Sequence, residues 1–460
     1  MKSARSALAT SLAGVLALGA LTACSPADAD DQPAAGESAG PVTIQVAVDA
    51  GLEDDAVKAI DERIGQFEDK YPDITVEKQE FTWDATTFAP QLAGGTLPDV
   101  FPVPFTDGRG LIERKQIADV SQAVAAMPWA AELNPKVAEV GQAPDGGQWA
   151  VPIAAYGQGL HYNRTLFTQA GLDPDQPPTT WDEVREDAKK IAAATGQAGY
   201  AQMTQSNTGG WILTTTAYAM GGRIVEQDAD GKPVVTIDSP ATKKALQYLH
   251  DLRWVDNSMG ANFLYDWGGI NQDFAAGKIG MYVSGGGNYG NLFTQNALNP
   301  DDYGVTVIPL EGSDAGALGG GTLAAVNAKA TPAEQAAAVK WIDFFYIAKL
   351  TDQEQATLDA KTASGLGQPV GAPQLPVFDQ ATYDEQQGWI KEYINVPLGQ
   401  MAGYTDNIFD QPLLPEPAFK TQEVYAALDP VVQQVLAQKD TDIDALLATA
   451  QKAVEAIVNQ

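Results

Sequence analysis

The stretch 149–172, WAVPIAAYGQGLHYNRTLFTQAGL, limits what this chain can fold into more than any other. An apolar run ending at Pro152 gives way to a strand-like alternation through Ala155, Gly157, Gly159 and His161, and a short amphipathic segment then closes on Gly171. The pattern predicts one strand crossing between two bodies. Gly157 and Gly159 flank Gln158 with minimal bulk, which lets backbone or ligand come close, and Tyr156 offers an aromatic face and a hydroxyl at the same place.

Two bodies also suit the length, since 460 residues exceed one ordinary hydrophobic core. A formal charge of −31 argues against nucleic acid or an anionic membrane surface as partner, because neither is drawn to an acidic protein. With two histidines, His161 and His250, and one cysteine, no His/Cys metal site can be assembled, and no metal or cofactor is expected. The glycine runs at 285–287 and 319–321 lack the Lys-Ser/Thr of a phosphate loop, so close packing or contact to a neutral ligand is the better reading. The 59 acidic residues leave a glycosidase pair open, yet none is singled out.

The N-terminus reads as an export signal over 1–23. Lys2 and Arg5 precede an apolar run at 8–21 that is too short to span as a mature helix, and Leu21-Thr22-Ala23-Cys24 ends it. This resembles the lipobox of bacterial lipoproteins, in which Cys24 becomes the acylated first residue. Residues 24–41, rich in Ala, Asp, Gly, Ser and Pro, are expected to form a flexible, lipid-anchored tether. Within it 36–40 matches G-x-S-x-G, but no strand or helix flanks Ser38 to make a nucleophile elbow.

Beyond the tether, 42–48 alternates as a strand, Val57, Ile60, Ile64 and Phe67 share a helix face, and 74–81 makes a second strand. Strand, helix, strand predicts a parallel pair of an open α/β sheet, whose ligands sit at strand carboxyl ends; that nominates Asp49 and Trp83. A short strand at 97–101 leads to a loop in which Asp107 and Arg109 either grip a polar ligand or pair with each other. Thr180 with Glu183, Ser239-Pro240, and Thr331-Pro332 with Glu334 start helices. Asp228 to Gly231 marks a hairpin, and Trp211 follows Gly209-Gly210 as an aromatic presented from a glycine loop. Phe274 closes a helix that Gly277 ends, strands are expected at 279–283 and 323–326, and a last helix carries an apolar stripe from Ile443 to Ile457.

Taken in order, the lipobox, PDV, VPIAAYGQGLHYNRTLFTQAGL with PPTTWDEV, DFAAGKIGMYVSGGG and GGGTLAAVN resemble the extracellular solute-binding lipoproteins of bacterial carbohydrate ABC importers, whose best-known relatives are the maltose-binding proteins. The resemblance implies a two-lobed α/β periplasmic-binding-protein-like fold, each lobe an open sheet flanked by helices, with ligand held in the cleft between them. The lobes are expected at 42–152 completed by 315–363, and at 153–314 completed by 364–460. It places Tyr156 at a ligand-contacting position of the crossover strand, Trp211 beneath a sugar ring, and Asp49 and Asp107 near positions that hydrogen-bond sugar hydroxyls. At Gly286 to Asn288 the chain departs, carrying glycine where maltose-binding proteins have a stacking tryptophan; Trp267 or Tyr289 then compensates.

A sugar has apolar C–H faces and hydroxyl edges, so Trp83, Tyr156, Trp211, Trp267 and Tyr289 supply the flat surfaces and Asp49, Asp107 and Asn288 the oxygen and amide partners. The expectation is a monomeric receptor and not an enzyme. It is anchored to the outer face of the bacterial cell membrane, closes on an oligosaccharide, and hands it to the transmembrane subunits of an ABC permease. The alternatives are a secreted glycoside hydrolase, or the same receptor carrying a phosphodiester, peptide or polyamine, with Arg109 or Arg223 in the cleft favouring the phosphodiester.

Overall fold

The computed structural model describes residues 40–459 apart from positions 53, 229, 376 and 418; the export signal, Cys24 and all but the end of the tether lie outside the described residues. Strand β1 (Val42–Val48), the helix Asp54–Lys70 and strand β2 (Ile74–Glu80) form the predicted opening unit, with β1 and β2 parallel and in register from Val42/Ile74 to Val48/Glu80. Ile64 and Phe67 bury the helix's inner face against this sheet. Strand β3 (Val100–Pro104) joins β1 on its other edge.

Strand β4 (Val151–Asn163) is the predicted crossover. Strands β5 (Val225–Gln227) and β6 (Pro233–Val235) form the expected separate hairpin. β7 (Met281–Gly285), β8 (Tyr303–Val307), β9 (Ala317–Val326) and β10 (Leu413–Leu414) complete the main sheet, ordered β2-β1-β3-β9-β4-β7 with β8 on β4 and β10 on β9. Val151 to Gly157 pair with β9, whereas Gln158 to Tyr162 pair with β7 and Gly159 to Asn163 with β8. β4 therefore changes partners at Gly157. The result is an α/β, two-lobed architecture of open sheets flanked by helices, joined through β4 and β9.

His161 lies on β4 beyond the change and is fully buried. Its Nε2 faces the carbonyl of Gly285 at 3.1 Å and so carries the proton, and Nδ1 accepts from the Tyr303 hydroxyl at 2.9 Å. Burial lowers its pKa to about 4, which leaves a neutral ring pinning β7 and β8 to β4. His250 likewise bonds the Lys439 carbonyl, at 2.7 Å.

Helix starts follow the predicted chemistry. Thr180 with Glu183 and Thr331 with Glu334 both close capping boxes, and Ser239 caps Pro240–His250. Three readings need correction. Asp107 and Arg109 lie on the helix Phe105–Glu113, which begins directly after β3, and not in a loop; a Cβ at Gly108 would collide with Leu323 of β9, so the glycine serves packing. Gly209 and Gly210 form the first turn of the helix Thr208–Ala219. A Cβ on Gly210 would collide with the backbone of Tyr425, so the pair lets this helix dock on Thr421–Ala437. β9 starts at Ala317, six residues before the expected strand, and takes Gly319 to Gly321 into the sheet.

Replacing Gly210 by Val should destabilise the fold by about 1–3 kcal/mol or more, because the obstructing atoms are backbone and cannot turn aside. Gly65→Ala, in an exposed stretch of Asp54–Lys70 with nothing within 4 Å of the new methyl, should stabilise it by roughly 1 kcal/mol. Urea denaturation of the two variants checks both signs.

Candidate functional site

The partner change of β4 opens a cavity of about 700 Å³ beside Ala154, Ala155 and Tyr156. Pro104 and Thr106 reach it from the end of β3, Gly321 from β9, Ser284, Gly285 and Asn288 from the end of β7, and Asn207, Thr208 and Trp211 from the head of Thr208–Ala219. Tyr156 is turned into this space because its flanks are glycine: a Cβ on Gly320 would come within 2.5 Å of its hydroxyl, and one on Gly285 within 3.2 Å of its ring. Trp211 stands edge-on to it, ring centroids 6.3 Å apart at 79°. Burial holds the Tyr156 phenol well above its ordinary value, so it stays a neutral hydrogen-bonding group.

Of the eight nominated side chains, four line the cavity: Tyr156, Trp211, Trp267 and Asn288. Asn288 spends its amide N–H groups on Asn271 (2.9 Å) and the Tyr282 hydroxyl (2.9 Å), which leaves its carbonyl for other partners. Trp267, at the start of Trp267–Ala275, is 37% exposed. The other four do not line it. Tyr289 is buried, its ring beside Phe293 and Tyr303, because the helix Tyr289–Asn296 turns it into the core. Trp83 leans on Phe88 at 5.0 Å. Asp49 is exposed past the end of β1. Asp107 stands one residue behind the lining, bonded by the Thr106 hydroxyl at 2.8 Å, and burial raises its pKa against hydrogen bonds from Thr106 and Trp83.

Asp107 belongs instead to a hydrogen-bonded row across the cavity wall. Thr106 donates to Asp107, Gln422 Nε2 donates to Thr106 at 3.2 Å, and Asn207 Nδ2 donates to Gln422 Oε1 at 3.0 Å. The row links the helix Phe105–Glu113 to the loop before Thr208–Ala219. Ser206 and Asn207 both hold left-handed backbone there, with φ of 59° and 68°. Asp429 fixes that turn, accepting from the N–H groups of Asn207 (2.8 Å) and Gly210 (2.9 Å).

Sequence reasoning missed a carboxyl that bonds Trp211 of the aromatic pair. Glu416 lines the cavity just beyond β10, with Tyr425 donating to it at 3.4 Å. Burial pushes its pKa up to about 8, the Asp107 charge adds to this, and hydrogen bonds from Tyr425 and Trp211 oppose it. Its signal was Pro415-Glu416-Pro417, a charged residue between two prolines that stiffen it. Asp359, also on the wall, is held by Arg63 at 3.3 Å, and Lys349 is the one Lys or Arg among the described residues that line the cavity. Arg109 and Arg223 are not among them, and Arg223 bonds the carbonyls of Gly222 and Asp314.

Residues 50–351 match the family model for bacterial extracellular solute-binding proteins. The chain belongs to that family. This is a family of binding proteins, not of catalysts. Among solved members of the fold, the cyclic alpha-maltosyl-1,6-maltose binding protein of Arthrobacter globiformis is 23% identical with a TM-score of 0.64, covering 91% of this chain and 99% of that one. An ABC transporter solute-binding protein of Thermotoga lettingae, bound with alpha-D-tagatose, is 20% identical with a TM-score of 0.71, covering 90% and 99%. At these identities the likeness establishes the two-lobed fold. A curated relative, the sn-glycerol-3-phosphate-binding periplasmic protein UgpB of Yersinia enterocolitica, is 37% identical over 97 residues; the match spans 20% of this solute-binding protein and 21% of that relative.

Glu416 makes a testable contribution to stability. Its ordinary pKa of 4.5 is raised to about 8 on folding, so between those values the folded chain holds a proton that the unfolded chain has lost. The contribution is complete below about pH 4.5 and is lost as pH rises through about 8. Wild type should therefore lose stability relative to Glu416→Gln across that window, by about 5 kcal/mol at most. Urea denaturation of both at about pH 5, 6.5 and 8 checks this; parallel pH profiles would rule it out.

Proposed function

We propose that this protein is the substrate-binding lipoprotein of an ABC importer, capturing a carbohydrate in the cavity beside β4 and delivering it to a membrane permease. The observation that carries the reading is the edge-on pair Tyr156 and Trp211 among amide and hydroxyl groups, in a wall that holds, among the described residues, one lysine and no arginine. Flat rings take the C–H faces of a pyranose, while Asn207, Asn288, Gln422 and Thr106 bond its edges. A volume near 700 Å³ exceeds one sugar ring and favours an oligosaccharide.

Closure is the proposed mode of action. Ligand that touches wall residues from both sheet halves makes its full set of contacts only when they approach, and so selects the closed form. The permease reads that form. A glycerophosphate cargo is the second reading, favoured by the relative from Yersinia enterocolitica and weakened by the absence of Arg109 and Arg223 from the wall. Anchoring through acylated Cys24 would keep the receptor at the outer face of the cell membrane.

A thermal-shift screen of neutral oligosaccharides and glycerol phosphodiesters tests the class of cargo, since a ligand bound only by the folded state raises the melting temperature. For a sugar that binds, Trp211→Ala should weaken affinity by about 10-fold to 100-fold in calorimetry with the melting temperature of the unliganded protein preserved. Unaltered affinity would remove Trp211 from the site. Cys24→Ala should release the protein from the membrane fraction of expressing cells; continued membrane retention would overturn the anchor.

A further inference from the structure

We propose that the sugar this protein takes carries a basic amino group, seated against Glu416 between the rings of Trp211, Tyr156 and Tyr425. The inference rests on the carbohydrate reading above and narrows it to aminated oligosaccharides.

Glu416 is a carboxyl at a wall where most other polar groups are amides and hydroxyls. Its protein partners are the Tyr425 hydroxyl and the indole of Trp211, neither of which carries charge. Among the described residues no Lys, Arg or His forms an ion pair with it. Lys349, the one cation on the wall, stands on the short helix Ala348–Thr351, next to Gln386 of the helix Gln380–Ile390, and its ammonium faces the ring of Phe345 at 5.7 Å. Asp107, the charged side chain that acts on it, is also an acid. Beside aromatic rings and without a counter-charge, this carboxyl keeps its proton in the empty protein and ionises only at a cost, while a neutral sugar edge would be served as well by an amide.

An ammonium ion resolves that arrangement. Aromatic faces attract a cation through their quadrupoles, and a carboxylate accepts its N–H in a charge-assisted hydrogen bond. The formal charge of −31 also favours the approach of a cationic ligand over an anionic one. Beyond the bonds they make to one another, Asn207 and Gln422 each keep a second amide N–H and a carbonyl lone pair for the sugar's other edges.

The test compares matched pairs by calorimetry: maltotetraose against acarbose, whose residues are joined in part through a secondary amine, and cellotriose against the β-1,4 trimer of glucosamine. Choline alone is a further arm that presents a quaternary cation to the rings without a sugar and without an N–H for Glu416. In a pair that binds, the aminated member should bind at least about tenfold tighter, and Glu416→Gln should bring that ratio close to one, while Glu416→Asp, which retains the charge, should preserve part of it. Equal affinities within each pair in wild type, or a ratio that survives Glu416→Gln, overturns the inference and leaves the carbohydrate reading standing. Binding of choline with no sugar binding, or no binding at all, overturns the carbohydrate reading and this inference with it.

Discussion

Strand β4 spends its first half in hydrogen bonds to β9 and its second half between β7 and β8, so a single extended segment belongs to both halves of the sheet. The place where it changes partners has to be free of side-chain bulk. A Cβ on Gly157 would meet Ile408 at 2.6 Å, and the residue before it, Tyr156, needs the glycine flanks of β7 and β9 to turn its ring into the gap. The residues that connect the two halves are thus also residues that line the cavity. The His161 ring fixes the second half of the strand by bonding Gly285 and Tyr303, and the side chains around Tyr156 inherit a rigid frame on that side.

The row Asn207, Gln422, Thr106, Asp107 crosses the wall by side-chain hydrogen bonds alone. Each contributes on the order of 1 kcal/mol net, because water would replace it on separation. A bridge of that strength biases two lobes toward each other without locking them. For the proposed receptor this is the useful range: a shift from mostly open to mostly closed needs about 5.5 kcal/mol of differential binding, which several ligand contacts can supply and the one bond that spans the row's two sides, Gln422 to Thr106, cannot. The left-handed turn at Ser206 and Asn207, held by Asp429, spends backbone strain to aim one end of that row.

Local chemistry made the frame readable. Alternation at 42–48, the apolar face of Asp54–Lys70, two capping boxes and the hairpin at Asp228 act through neighbours in sequence, and each forms where those neighbours require. The crossover was readable for the same reason. Glycines misled where their purpose lay in distant contacts: Gly108 answers to Leu323 and Gly210 to Tyr425, and both read locally as loop. The site divides along the same line. Tyr156 and Trp211 stood out through their glycine neighbours, whereas Tyr289 looked equivalent and faces the core, because helix phase and not composition decides which way it points. Glu416, Gln422 and Tyr425 come from the last tenth of the chain, and contacts distant in sequence bring that segment to the cavity: the two-residue pairing of β10 with β9 and the docking of Thr421–Ala437 on Thr208–Ala219.

That late segment also sets the electrostatics of the wall. Pro415 and Pro417 stiffen the backbone on both sides of Glu416, which fixes where its side chain leaves the chain. Trp211 and Tyr425 offer it N–H and O–H bonds but no positive charge, and Asp107 behind Thr106 works against ionisation. Below about pH 8 the carboxyl avoids the cost of ionising by keeping its proton, and that cost sits where Trp211 and Tyr425 line the cavity. The right guest lowers it on arrival, and the size of that relief is what separates one guest from another.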